Sequence, residues 1–254
     1  MAGENPMAQF AVKPLIEAPL FELAGHPIYF TNQALLMLLV TLLSASFLTL
    51  MVKPGRLVPT RGQSVAEMSY KFVSDMIHST TGSDGLSFFP FVFTLFIFVL
   101  CCNFFGMIPG GFTVTSQIAV TFALAALVII TVIFVGFAKH GIGFLRLFVP
   151  RAPWPLLIIL IPIEFISFCT RPISLSVRLF ANMLAGHTML AVFAGFVVSL
   201  GAAGGLLSAL AIAPMALMVG IFMLELLVAF LQAYVFAVLT CIYLNDALHL
   251  HDQH

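Results

Sequence analysis

Charged side chains are scarce in this sequence of 254 residues: Asp, Glu, Lys and Arg make up only 8% of it, whereas 61% is hydrophobic. A soluble domain usually has about a quarter of its residues charged. The ten basic and ten acidic residues cancel to a formal net charge of zero, so no basic field is available to bind nucleic acid. The composition therefore excludes an ordinary soluble domain and predicts a membrane protein.

The sequence also lacks the patterns of a metal site, a secretory signal and a nucleotide site. Its four cysteines lie inside apolar runs at no metal-ligand spacing, and we interpret them as small buried hydrophobic residues. Residues 1–32 lack a basic segment followed by a short apolar core, which predicts a retained amino-terminal arm. No G-x-x-x-x-G-K-[ST] phosphate loop is present. We therefore expect no catalysis within this chain, no cofactor and no metal ion.

Three apolar runs have the length of an ordinary membrane span. They comprise residues 33–52, 86–108 and 117–138. At about 1.5 Å per residue, a helix of this length crosses roughly 30 Å of hydrocarbon. Each run therefore predicts one transmembrane helix.

Two further apolar runs, 156–200 and 205–244, are about twice the length of a normal crossing. Each must be a steeply tilted helix or be broken within the membrane, and length alone does not decide between these alternatives. Glycines at 201, 204 and 205 form the first cluster of turn residues in this part of the chain. We expect a long tilted hairpin that turns there. The predicted fold is an all-α polytopic membrane protein with five membrane-embedded helices and one interfacial helix.

The interfacial helix is predicted over residues 63–79, between the first two spans. Apolar side chains recur there at helical spacing, at Val65, Met68, Phe72 and Met76, opposite a charged face. We expect the helix to lie along the inner membrane surface. A docking face for a partner and a simple cover for lipid headgroups fit this pattern equally well.

Seven of the ten basic residues fall in two loops on one side of the predicted membrane. They are Lys53, Arg56, Arg61 and Lys71 after the first span, and Lys139, Arg146 and Arg151 after the third. Loops rich in Lys and Arg stay on the inner side of a membrane. We therefore expect the amino-terminal arm outside and, after five crossings, the tail 245–254 inside.

Polar side chains follow one face of the first long run. They are Glu164, Ser167, Arg171, Ser174, Arg178 and Asn182, spaced by three or four residues. Ionisable groups cost several kcal/mol in mid-bilayer, so they stay there only when paired, hydrated or required. In the second long run, Glu225 and Gln232 lie two turns apart on one side. Each long helix is thus predicted to carry a polar stripe.

The hairpin brings His187 and Glu225 to depths at which they can meet. An imidazole beside a carboxylate can pass protons on near neutral pH. A proton relay and a static pair that fixes the hairpin are both compatible with the spacing.

Arg178 has a different role, because a guanidinium keeps its proton at any biological pH. It can act only as a fixed positive charge. Glu164 lies four turns away, and Glu225 is better placed near His187. We therefore expect Arg178 to face a carboxylate of another subunit; the structural alternative is an arginine that snorkels or binds backbone carbonyls.

One segment closely resembles the signature of the subunit a family of F-type ATP synthases. It reads Arg171-Pro-Ile-Ser174-Leu-Ser-Val-Arg178-Leu-Phe-Ala-Asn182-Met-Leu-Ala-Gly186-His187. Three other segments, 54–59, 103–109 and 231–240, resemble further landmarks of the family in the same order. The resemblance extends over nearly the whole chain. The positions of His187 and Glu225 follow the alphaproteobacterial and mitochondrial form, whereas some bacterial members carry the carboxylate and the histidine exchanged.

The resemblance implies a proton-conducting stator subunit in a bacterial inner membrane, with a periplasmic amino terminus and a cytoplasmic carboxyl terminus. Its implied partners are a c-subunit ring, peripheral-stalk b subunits and the rest of the ATP synthase. The arginine matching Arg178 faces the ring carboxylate between two aqueous half-channels, which couples proton translocation to ring rotation and ATP synthesis.

The family pattern also assigns the remaining polar residues. The positions of Asn182, His187, Glu225 and Gln232 match the outer half-channel. Glu164 and Ser174 lie toward the inner side, and Arg171 begins the signature and is counted with the proton-translocation residues.

Two other functions compete with this one. A self-contained secondary transporter should show inverted repeats around a midplane site, and no repeat is visible in five crossings. A purely structural anchor gives no reason for six polar side chains on one helical stripe.

Overall fold

The computed structural model describes residues 10–15, 21–23, 26–51, 60–108, 112–148 and 153–249. The helices are α1 Asn32–Met51, α2 Arg61–Thr81, α3 Phe89–Gly106, α4 Ile118–His140, α5 Trp154–Ala202, α6 Gly205–Leu210 and α7 Ile212–Leu248. Five stretches of helix in the described part of the chain are long and apolar enough to cross a membrane. The prediction of an all-α polytopic membrane protein is confirmed. One short antiparallel hairpin, β1 Phe21–Leu23 with β2 His26–Ile28, is added in the amino-terminal arm.

The first long apolar run is a single helix. Helix α5 has 49 residues and continues through Pro162 and Pro172. At about 1.5 Å per residue it is about 74 Å long, more than twice the thickness of the hydrocarbon core. Of the two alternatives left by the sequence, the unbroken helix is the one observed here, and its length predicts a tilted crossing.

The second long run is interrupted near its start, between α6 and α7. Ala211 separates the two helices, and Pro214 follows in the first turn of α7. Proline has no backbone N–H, so the bond that would join position 214 to the carbonyl of Leu210 cannot form. Proline is tolerated at position 214 because the N–H groups in the first turn of a helix have no intrahelical acceptors.

The turn between α5 and α6 lies where the glycines place it. Gly204 and Gly205 have φ values of 70° and 61°, a left-handed backbone that favours glycine. The predicted turn at 201–205 therefore has a conformational basis.

Helix α2 packs on the protein through a face that adjoins its predicted apolar stripe and shares Met76 with it. Thr60 caps its N-terminus by accepting a hydrogen bond from the Gln63 backbone. The buried side chains are those of Gln63, Ala66, Val73, Met76, Ile77 and Thr81. Val65 and Met68, expected on the lipid-covered stripe, are 53% and 71% exposed. The stripe with Val65 and Met68 therefore stays exposed, which is compatible with a helix that lies along a membrane surface.

By their contacts, the described residues divide into two compact units. Unit 1 is drawn from Met1–Phe47, Phe98–Gln117 and Leu179–Gln232, and unit 2 from Leu48–Ile97, Ile118–Arg178 and Ala233–His254. Both α5 and α7 contribute residues to each unit. Each unit holds its own polar cluster, described below.

Two smaller expectations are wrong. All four cysteines are free, and Cys102 and Cys241 are buried as expected, but Cys101 is only half-buried and Cys169 is exposed on α5. The chain after residue 244 is not simply a tail, because α7 continues to Leu248. The basic residues Lys53, Arg56 and Arg151, the family-like segment 54–59 and the last five residues lie outside the described part.

Candidate functional site

The structure brings His187 of α5 and Glu225 of α7 together in unit 1. His187 Nε2 lies 3.4 Å from Glu225 Oε1, and the two side chains are 12% and 3% exposed. Thr113, from the loop between α3 and α4, places its Oγ1 3.1 Å from the same Nε2. One imidazole nitrogen therefore lies between a hydroxyl and a carboxylate, an arrangement in which a proton can be shared or passed on.

Gly186 makes room for this pair. A Cβ atom at Gly186 would lie 2.6 Å from Glu225 Oε1 and 2.8 Å from its carboxyl carbon. Any other residue at this position would therefore displace the carboxylate. The sequence contains Gly186 in the family-like signature, but nothing in its pattern assigned the glycine a role.

A second polar contact joins the same two helices. Asn182 Nδ2 donates to Gln232 Oε1 at 3.0 Å, and Gln232 is buried. Between the two contacts, Asn103 at the end of α3 donates to the carbonyl of Ala229 at 3.0 Å. All four residues predicted for the outer half-channel therefore lie in unit 1 and in mutual contact as two pairs.

Several buried polar atoms of this cluster form no hydrogen bond with any described residue. They are both carboxylate oxygens of Glu225, Nε2 of Gln232 and Oδ1 of Asn103. A buried polar group without a partner costs about 1–3 kcal/mol. Such groups are usually satisfied by water, which makes this cluster a candidate for a hydrated path in unit 1.

The polar cluster of unit 2 is centred on Arg171. Its Nη1 lies 2.9 Å from Oδ2 of Asp246 near the end of α7. The guanidinium also lies 5.1 Å from the ring centre of Tyr243 and 5.8 Å from that of Phe168, distances typical of cation–π contacts. Asp246 was not predicted. Its position beyond the last apolar run gave no sign of a contact with a helix 75 residues earlier.

A hydroxyl pair also lies in unit 2. Ser176 of α5 and Thr121 of α4 place their hydroxyl oxygens 3.1 Å apart, and both residues are buried. Neutral hydroxyls cost little in an apolar run, so neither residue stands out in the sequence. Among the residues that the structure describes, no group of three His, Cys, Asp or Glu side chains is arranged to hold a metal ion.

Arg178 is exposed on α5 and forms no ion pair or hydrogen bond with any residue of the described ranges. It pairs with neither Glu164 nor Glu225, the two acids considered from the sequence. Ser174 is also exposed, and Glu164 is half-buried without an ion pair in the described part of the chain. Arg178, Ser174 and Glu164 therefore form no hydrogen bond or ion pair with the described residues of either cluster.

The model of the ATP synthase A chain family matches residues 34–245, which is most of the chain. An ATP synthase subunit a from Chelativorans sp. is 58% identical over 96% of this chain and 98% of its own length. Proteins of the same name from Mesorhizobium japonicum and Sinorhizobium medicae are 55% and 56% identical, over 96% and 97% of this chain and 96% and 98% of their own lengths. The resemblance seen in the signature thus extends across the described helices, and the chain belongs to the ATP synthase A chain family.

Proposed function

We propose that this integral membrane protein is the proton-conducting stator subunit of the ATP synthase membrane sector. In this proposal Arg178 faces the carboxylate of a c-subunit ring, and peripheral-stalk b subunits are further partners in a bacterial inner membrane. The observation that carries the proposal is the exposed Arg178 on a membrane-spanning helix, without an ion pair among the described residues.

The contrast between the two arginines of α5 supports an external partner for Arg178. Arg171 is neutralised by Asp246 at 2.9 Å, whereas Arg178 has no such acid within the described ranges. A guanidinium inside a membrane needs a counter-charge or water. Since Ser174 and Asn182 on the same stripe are also exposed, this side of α5 is suited to a partner that brings its own acid.

A carboxylate on that partner accounts for the coupling of proton translocation to movement of the partner. In lipid the acid is stable only when it is protonated, whereas beside Arg178 the ionised form is favoured, so it releases its proton there. Arg178 itself cannot carry the proton and blocks direct passage past it. Each proton that crosses 100 mV supplies about 2.3 kcal/mol for movement of the partner.

We assign the pairs of unit 1 to the outer half-channel. His187 and Glu225 form the relay, and Asn182 with Gln232 continues the polar lining along α5 and α7. We assign Glu164, Ser174 and Arg171 to the inner side, where protons leave. Asp246 fixes Arg171 there, so the proposed moving acid meets Arg178 and not Arg171.

Replacement of Arg178 tests the proposal in the complete ATP synthase, in inside-out membrane vesicles. ATP-driven acidification should fall on the order of a hundredfold in Arg178→Ala, because the charge that discharges the acid is lost. Arg61→Ala is the matched control, since Arg61 is an exposed cation at the start of α2. It should acidify at the wild-type rate. Wild-type acidification by Arg178→Ala would overturn the proposal and favour a structural anchor.

A further inference from the structure

A segment of the amino-terminal arm lies directly against His187. The ring of Phe10 meets the imidazole edge to face, with ring centres 6.3 Å apart and planes at 74°. Phe10 and His187 both belong to unit 1. We call residues Phe10–Leu15 the arm strap. The proposed half-channel does not include this segment.

Hydrogen bonds tether the arm strap at both ends. At one end, Nε2 of Gln117 donates to the carbonyl of Phe10 at 2.7 Å. At the other, the Leu15 amide donates to the carbonyl of Phe30 at 2.8 Å. A polypeptide held in this way keeps its place over the site without an apolar core of its own.

Asn32, at the start of α1, holds the middle of the arm strap. Its Oδ1 accepts from the Lys13 amide at 3.1 Å, and its Nδ2 donates to the Ala11 carbonyl at 3.3 Å. The Asn32 amide also donates to the Lys13 carbonyl at 3.1 Å. The side chain of Asn32 therefore forms two of the five hydrogen bonds that hold the strap, and its loss would loosen the strap without removing any group that contacts His187.

The arm strap closes the third side of the imidazole. Thr113 and Glu225 lie at its Nε2, and Phe10 covers an edge of the ring. What remains exposed is 12% of the His187 side chain and 3% of that of Glu225. Residues 11–15 are themselves exposed, so the strap is a thin layer, and the ring of Phe10 occupies space beside the imidazole that water would otherwise fill.

We propose that the arm strap is a tethered cover over the His187–Glu225 pair, which limits the access of water and aqueous reagents to it. As a step in proton uptake, this role rests on the proposed function; as a cover, it is a property of the fold of this chain. Protons from the outer side then reach His187 only past Phe10, or when the strap opens.

Diethyl pyrocarbonate is a suitable probe, because it modifies imidazole nitrogen atoms that water can reach. We would treat the complete ATP synthase in lipid nanodiscs and follow each histidine by peptide mass spectrometry. The test variants are Phe10→Ala, which removes the ring, and Asn32→Ala, which removes two hydrogen bonds of the strap away from His187. Val12→Ala is the matched control, since Val12 lies on the same strap and is 44% exposed.

Modification of His187 should become several-fold faster in Phe10→Ala and in Asn32→Ala, and stay at the wild-type rate in Val12→Ala. The double variant should be no faster than the faster single variant, since both changes open the same cover. The rate at the exposed His78 should be unchanged throughout. An unchanged His187 rate in both single variants would overturn the cover.

ATP-driven acidification by the Arg178→Ala enzyme separates this proposal from the proposed function. If the strap variants expose His187 while Arg178→Ala still pumps protons, the cover stands and the stator function fails. If Arg178→Ala does not pump and the strap variants leave His187 protected, the function stands and the cover fails.

Discussion

At the scale of single residues, Gly186 leaves the space that the Glu225 carboxylate occupies beside His187. Because a Cβ there would come within 2.6 Å of Glu225 Oε1, Gly186→Ala must displace that carboxylate. The group it meets is the end of a flexible side chain, so the side chain should move and the helix should stay folded. Since proton transfer requires hydrogen-bond reach, we expect ATP-driven acidification to fall on the order of tenfold to a hundredfold.

Gly195 provides the control for Gly186 on the same helix. A Cβ at Gly195 would have no atom within 4 Å outside the local helix backbone, so Gly195→Ala should keep the wild-type rate and gain helix propensity. The level of each subunit in purified ATP synthase would show that assembly is unaffected. Equal acidification rates for the two alanine variants would contradict a role of Gly186 in placing the carboxylate.

Among single residues, sequence reasoning finds the polar side chains that form a stripe along the two long helices, and it misses Thr113 and Asn103. Glu225 and His187 stand out because an ionisable group in an apolar run is costly and its position can be counted along a helix. Thr113 and Asn103 form equally close contacts, but a hydroxyl or an amide near the end of a span carries no such penalty. Their roles depend on which helices are neighbours, and spacing within one helix does not contain that information.

At the scale of elements, the Arg171–Asp246 ion pair ties α5 to the end of α7 in unit 2. The two side chains are 22% and 16% exposed, between a surface pair and a fully buried one. Loss of one partner leaves a half-buried charge unmatched, at a cost of about 1–3 kcal/mol. We therefore expect Asp246→Asn and Arg171→Gln each to lower the thermal unfolding midpoint of the purified subunit.

The double variant shows whether the two single changes disrupt one ion pair or destabilise the protein independently. Removing both charges leaves neither unmatched, so Arg171→Gln with Asp246→Asn should lose less stability than the sum of the single changes. Asp84→Asn is the control, because the Asp84–Lys139 pair is longer, at 3.4 Å, and its side chains are 54% and 42% exposed. If Asp246→Asn costs no more than Asp84→Asn, the pair does not stabilise the helix contact.

The helices were largely predictable from the sequence, whereas the contacts between helices were not. The lengths of the apolar runs predicted the five spans, and three glycines predicted the turn before α6, because both features depend on local sequence. The break at Ala211 was harder to predict, since Pro214 is compatible with either a kink or a new start. The face of α2 that packs on the protein and the contact of Asp246 depend on tertiary packing, which the pattern within one helix does not reveal.

At the scale of the whole molecule, most of the apolar surface faces outward. Only 6% of the apolar window in α1, 6% in α5 and 11% in the last span is buried inside the described structure, against 33% in the spans of α3 and α4. Lipid and other subunits must cover the remainder, because water cannot solvate such lengths of apolar helix. The hydrophobic content of 61% thus reflects a surface that faces lipid more than it reflects a large buried core.

Orientation in the membrane is the remaining property of the whole chain, and the basic loops predict it. With five spans in the described part of the chain, we expect the two termini on opposite sides, and the excess of Lys and Arg after the first and third spans predicts that those loops lie inside. A green fluorescent protein fused after His254 should therefore fluoresce in a bacterial host. Alkaline phosphatase, which needs disulfides formed outside the cytoplasm, should be inactive at the same position and active when fused after Phe112. Fusion after Gly141, at the end of the third span, is the internal control and should be inactive. Phosphatase activity after His254 together with none after Phe112 would reverse the orientation and would exchange the outer and inner assignments of the two polar clusters.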